Sequence, residues 1–585
     1  MKNVLLLNDH QSFNYANNFY FLSNQSFFKN IDLKNQKIKY KIIGNLSQNY
    51  QSRYDETIET NRIIFKIEQD LYKSLNHFHS TTYSHRYWKI ILGHWVSRFV
   101  RIVYFRYKIL DKCFDNDHKI DLVHVSKFDS YTQSIDQTKD IWQTTTDSEW
   151  NFNLFSKILI RCFKEKCNLN FVDTEKFQFN SNKFRVIDNT SKVLIRDRLL
   201  KILSSFNFLS QNNTMAFKTT YLNIFDELKL SLFNKEFPSI LFNLNYKREK
   251  FSLENRKKIF LKKNEDFLES LIKDLIIDAL PRVVVEDYKN ILNTINNSKW
   301  PKLPKIIFTS NSYDGDDFFK IWAAEKVELK KSKYIIGQHG LFDSKEQLLK
   351  DSNDYQVCDH YLRWGEKKYE KDIEVFNFKL ANKKINFKKR NKIMVFVRTA
   401  GYEVETYSRD QEFQIYNDCL GKVLSNFNAH DFKDTTLKLK HTFSETNPNE
   451  LYFLKKKFPL LKVNEGLESV YSNFEQTKLS IFLYFSTGVL ESLNFDIPTV
   501  FYYPKKLIYI DPAEKKYLDI LNKCKILSYN EEEFSENINF IIKDVKKWWL
   551  MKEVINGKNE ALNRYSKIQK KNSVFKIVNI LKSLL

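Results

Sequence analysis

The 585-residue sequence predicts an α/β protein of two Rossmann-like, doubly wound domains facing a cleft, with a large, mostly helical insertion in the N-terminal half. Three observations predict it. A β–α–β unit runs from Pro304 to Gly340, a second series of short apolar runs alternates with helical segments from Lys392 onward, and a Lys/Arg-rich linker at 377–391 lies between them. The implied division is 1–376, with the insertion at about 60–300, and 392–585, ending in a helical tail.

The elements follow in order. Val4-Leu5-Leu6-Leu7 is an apolar run of four, the length of a buried first strand and too short for a signal peptide. From about 60 to 112 the spacing is helical, and from 115 to 300 Phe/Asn/Lys-rich segments show few clear strands. Then come a strand at Pro304–Ser310, a helix at Asp316–Lys330 and a strand at Tyr334–Gly340 that enters a glycine turn. In the second half strands are predicted at 392–397, 436–440, 479–484 and 498–502, with helices at 411–427 and 488–494.

Composition narrows the class. Apolar residues make up 42% and Gly and Pro only 11 and 9 residues, which excludes a disordered or collagen-like chain. The net charge of +23 favours anionic partners, although a Lys- and Asn-rich composition accounts for part of it. Six cysteines without a C-x-x-C pair exclude a disulfide framework or zinc site and suit a reducing, cytoplasmic compartment. The segment Trp88–Leu110 is interrupted by Lys89, His94, Arg98, Arg101 and Arg106, so it fails as a membrane span. A Walker A loop, G-x-G-x-x-G, H-E-x-x-H and G-x-S-x-G are all missing, which sets aside kinase, dehydrogenase, zincin and hydrolase readings.

In open α/β sheets ligands bind beyond the C-terminal strand ends, so candidate residues are sought there. In Gly337-Gln338-His339-Gly340 the imidazole leaves a strand between two glycines and can act as a base. Lys440 and His441 end a strand of the second domain, where they can hold a nucleotide phosphate, and Arg398 follows the first strand of that domain. Ser486-Thr487-Gly488 opens a helix whose unpaired N–H groups favour an anion, and Glu491 lies one turn in, where it can accept ribose or base hydrogen bonds. Asp314-Gly315-Asp316-Asp317 contains a D-x-D that can hold a metal, but capping the next helix is the stronger reading, with a second catalytic role for Asp317 as the remainder. Arg86 and His94, at helical spacing among aromatics, are core edge by default and acceptor contacts otherwise.

The ordered set of the N-terminal strand, Arg86–Trp95, Asp317–Trp322, Gly337–Gly340, Asp359–Gly365, Ser486–Glu491 and Ile497–Val500 resembles the surface-polysaccharide transferases of bacterial lipopolysaccharide and capsule gene clusters. More distantly, the His-Gly turn, the strand-end His and the Ser/Thr helix start are similar to CDP-glycerol glycerophosphotransferases and to GT-B transferases that use CMP-linked sialic acid or Kdo. The chain departs from them at Thr442, where the nucleotide motif has Pro, and at Leu341-Phe342, where the closest family has further glycines.

The resemblance implies a GT-B glycosyltransferase with His339 as base and His441, Ser486 and Thr487 at the donor phosphate; Asp317 is the second catalytic candidate, and Gln338, Gly340, Arg398, Lys440, Gly488 and Glu491 complete the candidate donor site. Arg86 and His94 then face the acceptor. The implied partners are a CMP- or CDP-linked donor, a lipid-linked glycan and the anionic inner face of the membrane, with no nucleic acid. One leaving phosphate needs no metal, so no cofactor is expected. CDP-glycerol-type phosphotransfer, or a scaffold or nucleic-acid-binding role without catalysis, stands as the alternative.

Overall fold

The computed structural model describes residues 2–7, 18–22, 40–43, 49–115, 119–127, 134–144, 147–173, 198, 200–242, 244–262, 265–341, 350–397, 409–439, 456, 458–464 and 470–585. The described strands form three sheets, and every pairing is parallel. In the first, β1 (Asn3–Leu6), β2 (Asn18–Leu22), β3 (Tyr40–Ile43), β4 (Leu122–Lys127) and β5 (Asn168–Asp173) lie in the order 3-2-1-4-5. The second holds β6 (Met215–Lys218), β7 (Ile306–Thr309), β8 (Lys333–Gly337), β9 (His360–Arg363) and β10 (Asp372–Glu374) in simple sequence order.

The third sheet consists of β11 (Lys392–Val397), β12 (Thr435–Leu439), β13 (Lys462–Asn464), β14 (Thr477–Phe482), β15 (Thr499–Tyr502) and β16 (Leu527–Ser528). Its order β13-β12-β11-β14-β15-β16 reverses direction between β11 and β14. This is the doubly wound order, and the reversal opens a ligand crevice at the strands' C-terminal ends. The α/β class holds: parallel sheets with helical crossovers build both halves, which touch at the turn after β8.

The N-terminal half departs from the single sheet with a helical insertion that the sequence predicts. It contains two sheets, and β4, β5 and β6 lie inside the supposed insertion. The reason is physical. Strand β5 is mostly exposed Asn-Leu-Asn-Phe-Val-Asp on a sheet edge, so it has no apolar run, and β6 is only four residues long. The long helical stretch is two packed helices, Tyr50–His79 and His85–Asp115, separated where Ser80 takes a left-handed conformation and its N–H closes back on Asn76 and His77 carbonyls. Ile63, Ile67, Leu71 and Leu75 on the first and Trp88, Ile91, Trp95 and Phe99 on the second, spaced at helical intervals, are buried between them and the sheets.

Strands β7 and β8 are apolar along nearly their whole length because helices cover both faces. The C-terminal tail does not stay with the third sheet. Helix Ser573–Ser583 turns back and buries Val574, Ile577, Val578 and Leu581 against Met215, Phe308 and Ile335 of the second. The returning chain is tied by backbone: Lys567 N donates to the Trp364 carbonyl at 2.8 Å, and Asn377 N to the Lys567 carbonyl at 2.8 Å. Gly365 fits this crossing because a Cβ there would lie 2.0 Å from the Arg564 carbonyl oxygen. The 377–391 stretch is therefore packed at its start, with Asn377, Phe378 and Leu380 buried.

Candidate active site

The two halves touch where the turn after β8 meets the helix start after β14. Leu341 N donates to Thr487 Oγ1 at 3.0 Å, and a Cβ on Gly340 would lie 3.0 Å from the same hydroxyl. This places the Gly337–Gly340 turn over the reversal of the third sheet, the position topology assigns to a ligand.

His339 is exposed at this junction, and its Nδ1 shares a 2.8 Å hydrogen bond with the Tyr221 hydroxyl. Tyr221 comes from the turn after β6, a turn with two non-glycine residues at positive φ, Thr219 at 52° and Tyr221 at 67°. Such conformations cost on the order of 1–3 kcal/mol each and persist only when their surroundings enforce them. Here the enforcement is explicit: Thr220 N and Oγ1 both donate to Glu227 Oε2 at 2.8 and 2.7 Å, and Ser310 Oγ donates to the Thr220 carbonyl at 3.1 Å. Burial pushes the Tyr221 phenol up to about 12, so it stays protonated.

Lys379 extends from the linker over the Tyr221 ring at 4.5 Å, and Lys383 lies 4.0 Å from the Tyr471 ring centroid. Glu491, buried one turn into helix Thr487–Asn494, acts on both ammonium groups. Burial raises its carboxyl pKa, while Lys379, Lys383 and the Tyr471 hydroxyl oppose the rise. Burial lowers both lysines. Among the described residues neither ammonium closes a contact ion pair with Glu491, although all three charges act on one another, and Lys379 reaches the His339 partner Tyr221. Ser486, half-buried and extended, makes no side-chain bond to its own helix, and Gly488 follows against the Phe482 ring.

The remaining predicted residues are placed differently. Gln338 is buried and locks the turn, its Nε2 donating to the Gly340 carbonyl at 2.9 Å and its Oε1 accepting from Trp364 N at 2.8 Å. Asp317 is only 4% exposed. Its carboxylate accepts from Thr138 N at 3.0 Å and Thr138 Oγ1 at 2.5 Å and pairs with Lys320 at 2.9 Å, which corrects the catalytic reading to a buried structural tie. The neighbouring acids are also taken: Asp316 caps Phe319 N and pairs with Lys218, and Asp314 grips Arg98 through both oxygens. Burial would raise Asp314, but Arg98 and then His94 hold it well below the usual carboxylate range.

Arg86 donates to the Val357 carbonyl and to Asp359 Oδ2 at 2.8 Å, a helix-to-sheet tie, and His94 lies half-buried by the Tyr313 ring at 5.3 Å. Arg86 and Asp317 are thus held by structural partners, whereas His94 acts on Asp314, whose charge also reaches Tyr221. Arg398, Lys440 and His441 lie outside the described residues. Sequence reasoning missed Tyr221, Lys379, Lys383 and Tyr471. Only the lysines left a signal, four residues apart in the basic stretch taken as linker.

The model of the LIC12162 family transferases matches residues 5–576, nearly the whole chain. The protein belongs to this family. It is a transferase. No curated protein matches the chain. Among solved structures, this transferase is similar to MnaA of S. aureus with UDP, at 11% identity over 64% of this chain and 96% of that one, TM-score 0.37. It is also similar to MurG of Acinetobacter baumannii, at 9% identity over 64% and 99%, TM-score 0.33. A third is a single-residue variant of the wall teichoic acid polymerase TagF with CDPG, at 9% over 69% and 98%, TM-score 0.30.

Proposed function

We propose that this transferase moves a sugar, of the CMP-linked acidic class, from a cytidine nucleotide donor to a lipid-linked surface glycan. The observation that carries the reading is the junction itself: His339 and Tyr221 with Lys379 over the Tyr221 ring, and Glu491, Lys383 and the Ser486–Thr487 helix start close to that lysine. The choice of cytidine rests on the sequence resemblance.

In this reading the donor phosphate lies against the helix start and the two ammonium groups, which stabilise the charge that develops as the nucleotide leaves. Glu491 accepts hydrogen bonds from donor hydroxyls. In the tautomer whose Nδ1–H donates to the Tyr221 oxygen, Nε2 serves as the base for the acceptor hydroxyl. The acceptor oxygen bonds to the anomeric carbon, the bond from that carbon to the phosphate oxygen breaks, CMP keeps the electron pair, and His339 takes the proton.

The test is thermal unfolding of the purified protein with CMP, CDP, UDP, GDP and ADP, with and without Mg²⁺, on wild type, Ser486→Ala, His441→Ala and Lys379→Met. A ligand that binds only the folded state raises Tm through RT ln(1 + [L]/Kd). Selective stabilisation by CMP or CDP, lost in the variants, supports the site. A response to UDP or GDP alone replaces the donor, and no response to any nucleotide overturns the reading.

A further inference from the structure

Away from the junction, one stretch of surface exposes aromatic residues that the chemistry above does not use. Phe206, Phe208 and Leu209 project from the 3-10 turn before β6, Phe233 ends helix Ile224–Phe233, and Phe575 lies on helix Ser573–Ser583; all five are between 46% and 53% exposed. They form one face. Phe206 lies 6.4 Å from Phe208 and 6.5 Å from Phe237, and Phe233 lies 6.4 Å from Phe575. The turn from Phe233 to Phe237 joins the two groups and is held there by Glu236, whose Oε1 accepts from Thr214 N at 2.6 Å and Thr214 Oγ1 at 2.7 Å.

The charge around this face has one sign outward. From 567 to 585 the chain carries five lysines and no Asp or Glu. Lys299 lies 5.6 Å from the Phe208 ring centroid, and Lys235 and Lys576 are exposed beside Phe233 and Phe575. The nearby acids are turned inward: Glu236 to Thr214, Glu227 to Thr220, and Asp226 to Asn223, Asn382 and Lys229. Another exposed aromatic group, Phe65 and Phe267, is different, because Asp266 and Glu269 stand there beside Arg62 and Lys66.

We infer that the face formed by Phe206, Phe208, Leu209, Phe233 and Phe575 docks on an anionic lipid bilayer. Aromatic rings gain by leaving water at the acyl boundary, and each lysine near a negatively charged leaflet adds attraction that falls off within a Debye length. The face and the junction are joined by one element. Helix Ile224–Phe233 begins three residues after Tyr221 and ends at Phe233, so ten residues, about 15 Å of helix, separate the bilayer from the cleft. That geometry suits an acceptor held in the leaflet, and to that extent the inference rests on the proposed lipid-linked acceptor.

The test is co-sedimentation of the full chain with vesicles of phosphatidylcholine alone and with about one third phosphatidylglycerol, at low and high salt, for wild type, Phe208→Glu/Phe575→Glu and the control Phe65→Glu. The expected result is binding to the anionic vesicles only, weakened by salt, at least tenfold weaker in the double variant and unchanged in the control. Equal binding by the double variant, or no binding by wild type, overturns the inference, as does a wild-type dimer that the double variant converts to monomer, because the face then packs against a second copy. Tm and nucleotide stabilisation measured on the same proteins separate this from folding and from the donor reading: a face that fails with nucleotide binding intact leaves the proposed donor site standing.

Discussion

Glu514 is the sharpest place to test how the halves are held together. It lies in helix Pro512–Lys523, 5% exposed, and its carboxylate meets Arg564 through both oxygens, the Tyr565 hydroxyl at 2.9 Å and Lys368 Nζ at 2.9 Å. Lys368 belongs to the N-terminal half, so one carboxylate joins it to the third-sheet domain. Burial alone would raise the group, but Arg564 and Lys368 hold it down to about 2, from an ordinary 4.5. At roughly 1.4 kcal/mol per unit this is about 3 kcal/mol of stability. The folded value is depressed, so that stability is fully present above pH 4.5 and is lost as pH falls toward 2. In urea unfolding, Glu514→Gln is expected to cost about 3 kcal/mol at pH 7, with the gap to wild type closing between pH 4.5 and 2. A gap that stays constant from pH 7 to pH 3, or one below about 1 kcal/mol at pH 7, refutes the reasoning.

Two further substitutions separate structural from chemical roles. Asp317→Asn leaves Lys320 buried without its carboxylate and is expected to cost about 3–5 kcal/mol in urea unfolding, with any nucleotide-induced rise in Tm retained; unchanged stability with transfer abolished would return Asp317 to catalysis. Tyr221→Phe removes the hydroxyl that orients His339 and is expected to lower kcat about tenfold or more, with KM and the nucleotide response unchanged. An unchanged kcat would show that the ring only fills space.

What the sequence made legible follows from where each signal is local. Strands β7, β8 and β11 are short apolar runs bounded by polar turns, and helix Asp317–Lys330 opens on its own cap, so their pattern alone suffices. Strand β4 pairs with β1 across more than a hundred residues, and nothing in either run names the other. The same division separates the site residues. Glycines at a strand end announce a turn, and Ser-Thr-Gly before a helical run favours an anion, so His339, Ser486 and Thr487 could be proposed from the sequence alone. Tyr221 could not, because its place depends on a left-handed backbone held by Glu227 and Ser310, partners that no spacing rule predicts.

Lys379 and Lys383 were hidden for the opposite reason. Exposed lysine is the default in so basic a chain, and only the fold shows that the half-buried Lys379 and the more exposed Lys383 both come within reach of the Glu491 charge. Asp317 shows the reverse case, in an acidic run where capping is the stronger reading of the sequence. Its position after a strand suggested chemistry, but a carboxylate in the first turn of a buried helix is already favoured by the helix dipole, and Thr138 and Lys320 complete its coordination without any ligand. A charged group beyond a strand end therefore indicates a site only when its partners leave it something to do. At this junction Lys379, Lys383 and Glu491 are the groups proposed on that ground.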